Sequence, residues 1–175
     1  MPGRVDEELR AGLVQKFGED RVRPEWDVAK DSQDAYDRRL YCPRIDFAIG
    51  PFNIDTQLNH NNSIINLEYR AHEQFFNQVR KKNPDEWHEL VPNQNPRCFI
   101  AIEVEKSGSR KHRIGSIMNA SAIGKVGILV AVDEPNFRAL NRIRRYLDFI
   151  NRAKKTESYP KNVLIVRRPD FLNLL

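Results

Sequence analysis

Three carboxylates fall inside stretches that otherwise read as buried strand. Asp46 stands between Ile45 and Phe47, and Glu103 and Glu105 close the run CFIAIEVEK at 98–106. Side-chain direction alternates along a strand, so Glu103 and Glu105 share one face. Like charges on one face repel, and burying either is costly unless it is paired or meets a cation. A hard divalent cation such as Mg2+, or Mn2+ in its place, removes the conflict: it takes carboxylate oxygens and leaves positions for water and a phosphate. If the strand of Asp46 neighbours that of Glu103, the three acids converge on one metal. Each acid alone also has a plainer reading, as a solvent-facing residue of an exposed sheet.

The segment that follows is basic, running Ser107, Gly108, Ser109, Arg110, Lys111, His112, Arg113. Free amides at the start of a helix, with the positive end of its dipole, favour a phosphate there, and Arg110, Lys111 and Arg113 add three cations. Arg138, Arg142, Arg145 and Arg152 lie opposite the apolar stripe of a later helix, where they suit a nucleic-acid backbone and a solvated face equally well.

The elements needed to hold these residues are legible in the hydrophobic period. A helix is predicted over 7–17 from Leu9, Leu13, Val14 and Phe17, and the segment 21–28 is at best an edge strand or a loop. A strand follows over 41–50, then a turn at Gly50–Pro51 with 52–58 as a returning partner. Leu67, Ala71, Phe75 and Val79 predict one helix ending near Lys82. Residues 98–106 form a central strand, 112–123 a helix with Ile114, Ile117 and Met118 inward, and 125–132 a second buried strand. That succession is a crossover between parallel strands. A long helix over 136–155 has Phe137, Leu140, Ile143, Leu147 and Ile150 as its stripe, and 162–166 is the last strand. The fold class is α/β: a central mixed sheet flanked by helices, in one domain spanning 1–175.

Composition narrows the function. The chain has 175 residues, 40% hydrophobic and 30% charged, which is enough to build a core. Its net charge of +5 is uneven: residues 1–106 carry 15 basic against 19 acidic side chains, and 107–175 carry 14 against 5. A polyanion, above all nucleic acid, is the natural partner of the basic part. Neither Cys42 nor Cys98 lies in a CxxC, and both read as core residues of a reduced compartment. No apolar run reaches membrane length and no signal core is present, so a cytoplasmic location without membrane contact is expected. His60, His72, His88 and His112 lack zinc spacing, and no glycine-rich nucleotide loop occurs.

The pattern Pro43-Arg44-Ile45-Asp46 on one strand and Ile102-Glu103-Val104-Glu105-Lys106 at the end of another, followed by a helix and a buried strand, resembles the PD-(D/E)xK nuclease superfamily over about 43–132. The resemblance implies a restriction-endonuclease-like core in which Asp46 and Glu103 bind Mg2+. It implies a lysine at the position occupied here by Glu105, a departure that some restriction endonucleases of the superfamily share. Glu105 would complete the site and orient or deprotonate water, and Lys106 and Lys111 are candidates for the missing cation. The expected function is Mg2+-dependent hydrolysis of phosphodiester bonds in DNA, with Arg110, Lys111 and Arg113 clamping phosphate; cutting both strands would favour a homodimer. A catalytically silent nucleic-acid-binding module and a protein-interaction domain with a basic face are the alternatives.

Overall fold

The computed structural model describes residues 6–27, 43–53, 62–106, 108–156 and 159–175. The expected positions Tyr41, Cys42, His60 and Ser107, and most of 52–58, lie outside these residues. The chain runs α1 (Glu7–Phe17), a short 3-10 turn (Glu19–Arg21), β1 (Val22–Asp27), β2 (Arg44–Phe52), α2 (Asn62–Ala71), α3 (Glu73–Lys81), β3 (Cys98–Glu105), α4 (Arg110–Ile123), β4 (Gly124–Ala131), α5 (Glu134–Arg152), β5 (Val163–Arg167) and α6 (Arg168–Leu172). The fold is α/β. One five-stranded mixed sheet has the order β1-β2-β3-β4-β5, antiparallel across its first two pairs and parallel across the last two. No described helix is long and apolar enough to cross a membrane.

Alternation divides the sheet between two cores. Ile100, Ile102 and Val104 face one side, where Leu9, Leu13 and Phe17 of α1, Ile65 of α2, Phe75, Phe76 and Val79 of α3 and Phe171 of α6 cover them. Ala101 faces the other side, beneath Ile117, Ala120 and Ile123 of α4 and Phe137 and Leu140 of α5. Glu103 and Glu105, two and four residues after Ala101, follow it to the α4 side.

Four expectations shift. β2 does not turn at Gly50–Pro51 but continues to Phe52, with a register irregularity between Ile49 and Phe52, and its partners are β1 and β3. The expected helix over 67–82 is two helices meeting at His72, whose Nδ1 lies 2.9 Å from the Glu68 carbonyl oxygen. Leu67 is exposed, and Ile65 takes the buried place. α5 buries Phe137 and Leu140, but beyond them the buried positions are Asn141, Arg144 and Asp148. Ile143 and Leu147 of the expected stripe pack against the core half-buried, and beside them Asn83 donates to Asn141 and Arg144 pairs with Glu86 although both side chains are only 2% exposed, so polar partners from the 82–97 connection flank the apolar stripe.

The helix α4 packs closely against the sheet at Gly127. A Cβ at Gly127 of β4 would lie 2.9 Å from the Ala120 carbonyl carbon and 3.0 Å from its Cβ, so glycine there lets α4 settle against the strand. On the same helix, a Cβ at Gly115 meets nothing within 4 Å. The two glycines therefore predict opposite outcomes in urea denaturation. Gly127→Ala should destabilise the protein by about 1–3 kcal/mol through overpacking. Gly115→Ala should stabilise it by roughly 0.5–1 kcal/mol by removing backbone entropy from a helix interior. Equal effects at both positions would refute the close approach of α4.

Candidate functional site

The antiparallel register that pairs Phe47 with Ile102 brings Asp46 opposite Glu103 one step further along. The backbone amide of Val104 donates to Asp46 Oδ2 at 2.7 Å, holding that carboxylate over the end of β3. Glu103 is 8% exposed. Its carboxyl accepts hydrogen bonds from the Asn119 side chain and the Asp46 backbone amide, and lies within hydrogen-bonding reach of the Asp46 carboxylate. Loss of solvent, followed by the charge of Asp46, pushes Glu103 up to about 9. Burial and the neighbouring Asp46 therefore both favour the neutral form of Glu103.

Glu105 does not make this pair a triad. It is 1% exposed, and the Ser116 hydroxyl lies 3.3 Å from its Oε2. Among the described residues no three His, Cys, Asp or Glu side chains are grouped to hold a metal ion. The expected convergence of three acids is therefore replaced by two acids in contact and a third set deeper beneath α4. Two adjacent carboxyl groups, one of them pushed toward its neutral form by burial and repulsion, still suit a hard divalent cation that takes its remaining ligands from water or phosphate.

The expected cations are dispersed. Lys106 is exposed, and its charge acts on Asp6 at the start of α1, across the sheet from Glu103 and Glu105. Arg113 is 8% exposed; its Nε and Nη2 donate to Asn136 Oδ1 at 3.2 and 2.6 Å, and its Nη1 to the Gly108 carbonyl at 3.3 Å. It ties the loop before α4 to the first turn of α5. Arg110 and Lys111 are exposed on the first turn of α4, whose N-cap Ser109 accepts from the His112 amide. On α5, Arg138 pairs with Glu134, Arg145 with Asp85 and Arg152 with Asp148, while Arg142 is exposed. The arginine face is thus largely matched by the protein's own acids. Cys98 is buried, and burial pushes its thiol up, away from nucleophilic use.

Sequence reasoning missed Ser116 and Asn119. Three residues apart on α4, they address Glu105 and Glu103 in the reverse order of the strand, as a helix running back over β3 requires. A signal was present: polar residues on the inward side of a crossover helix directly after a strand bearing acids.

Comparisons with protein-family models, curated proteins and solved structures find no match.

The raised Glu103 gives a pH dependence with a definite sign. Its carboxyl titrates near 4.5 when exposed and near 9 in the fold, so its stabilising contribution is complete below about pH 4.5 and is lost as pH rises through 9. In chelator, wild-type stability should fall relative to Glu103→Gln between pH 5 and 9, by at most about 1.4 kcal/mol per pH unit. Parallel stability curves for the two proteins would show that Glu103 is not held protonated.

Proposed function

We propose that the protein is a Mg2+-dependent phosphodiesterase acting on DNA, with Asp46 and Glu103 as its metal-holding residues. The observation that carries this reading is the pair of carboxylates on neighbouring strands, one of them nearly buried and driven toward its neutral form, a state that a bound cation reverses. The resemblance to the PD-(D/E)xK superfamily points to the same two residues. A cation held there would supply Lewis acidity toward a phosphoryl oxygen.

The remaining chemistry belongs to the chain. Val104 and Asn119 orient the two acids by donating to Asp46 and Glu103. Glu105, beneath α4 and bonded by Ser116, adds a third negative charge near the pair. The exposed Arg110 and Lys111 beside the α4 N-terminus provide positive charge for the polynucleotide backbone.

Cleavage of supercoiled plasmid with Mg2+, Mn2+ or EDTA tests this reading. Asp46→Asn and Glu103→Gln should each slow metal-dependent cleavage on the order of 100-fold or more while DNA binding in chelator persists. Asn119→Ala should weaken Mn2+ binding, measured by electron paramagnetic resonance, about 10–100-fold. Undiminished cleavage in either acid variant would exclude the site. Salt-sensitive DNA binding by a wild type that cuts nothing would favour a silent binding module instead.

A further inference from the structure

A nuclease site of this kind calls for a hydrogen-bond donor facing the phosphate, and the fold draws the expected cations away from that place. Lys106 lies across the sheet, and Arg113 is spent on Asn136 and the Gly108 carbonyl. Arg110 shares its flank of α4 with Arg113 and Ile117, which are three and seven residues on, and α4 turns this flank toward α5. Lys111 begins the stripe of Gly115 and Met118; a Cβ at Gly115 meets open space and Met118 is 37% exposed, so this stripe faces solvent.

The opposite flank faces the acids. It carries Asn119, which donates to Glu103, and Ser116, whose hydroxyl lies 3.3 Å from Glu105 Oε2 and 3.2 Å from the His112 carbonyl oxygen. His112 precedes Ser116 by four residues and Asn119 by seven, so it continues the same stripe one turn nearer the helix start. It is exposed, at the end of the stripe nearest the helix start.

We propose that His112 is a catalytic residue of the nuclease reaction, donating a ring N–H hydrogen bond to a non-bridging oxygen of the phosphate held over Asp46 and Glu103. The assignment rests on the nuclease reading above. As the bond from water oxygen to phosphorus forms and the phosphorus–oxygen ester bond breaks, negative charge grows on the non-bridging oxygens. A donor aimed there stabilises it without exchanging a proton: the water proton passes to solvent, and the departing oxygen takes one from solvent.

The test compares wild type, His112→Ala, His112→Gln and Lys106→Ala. It measures single-turnover cleavage of a duplex oligonucleotide at saturating protein with Mg2+, together with Mn2+ affinity and DNA affinity in chelator. His112→Ala should cut about 10²–10³-fold more slowly with both affinities unchanged within error, because only a transition-state contact is lost. His112→Gln, which keeps an N–H donor, should recover part of the rate, and Lys106→Ala should cut at the wild-type rate. Wild-type cleavage by His112→Ala overturns the assignment. So does a loss of Mn2+ affinity that matches the loss of rate, which would make His112 a ligand. In both cases the nuclease reading stands, whereas a wild type that binds Mn2+ and cuts no nucleic acid overturns that reading and this assignment together.

Discussion

Two carboxyl groups in contact at the edge of water, Asp46 half-buried and Glu103 nearly fully so, are the constraint around which the neighbouring structure is arranged. Ionising both without a counter-charge sets burial and repulsion against the fold together. The structure answers with donors: Val104 to Asp46, and Asn119 and the Asp46 amide to Glu103. These bonds orient the acids yet leave Glu103 elevated, so the site keeps an unmet demand for positive charge. That demand links the fold to the proposed chemistry, because a cation entering the site would relieve a cost already present in the protein without it.

The sheet and α4 create this situation jointly. An antiparallel β2–β3 pair aligns Asp46 with Glu103, and the parallel β3–β4 pair requires a crossover, supplied by α4, that passes over the same face. Asn119 and Ser116 reach the acids because Ala120 lies against Gly127 with no Cβ between them. The other flank of α4 is fastened through Arg113 to Asn136 at the start of α5. The lower part of α5 is held by the buried Arg144–Glu86 pair and by the Asn83–Asn141 bond. Polar contacts therefore secure both helices that cover the acid-bearing face, and the basic character of the C-terminal part is partly consumed in making them.

Much of the architecture was legible because burial leaves a period. The alternation in β2, the apolar runs of β3 and β4, and Leu9, Leu13 and Phe17 of α1 all lie where their spacing places them. Asp46 and Glu103 stood out for the same reason, as charges breaking an apolar rhythm. Contacts set by polar partners distant in sequence were not legible. The burial of Arg144 and Asp148 on α5 is an example, since nothing local reveals that Glu86 and the 82–97 connection will cover them. On α4, Ile114 and Met118 were expected inside, yet Arg113 and Ser116 are buried and Met118 is exposed, because the helix turns toward the acids and Asn136 as well as toward the apolar sheet. Glu105 shared a face with Glu103 as period two requires, but period two does not show that Ser116 would draw it beneath the helix.

A divalent cation bound at Asp46 and Glu103 should displace the proton that burial and repulsion favour on Glu103. Isothermal titration of the protein with Mn2+ at pH 7, repeated in buffers of different ionisation enthalpy, counts that proton directly. About one proton should be released per Mn2+ bound, and none from Glu103→Gln under the same conditions. Binding without proton release, or the same release from wild type and Glu103→Gln, would contradict it.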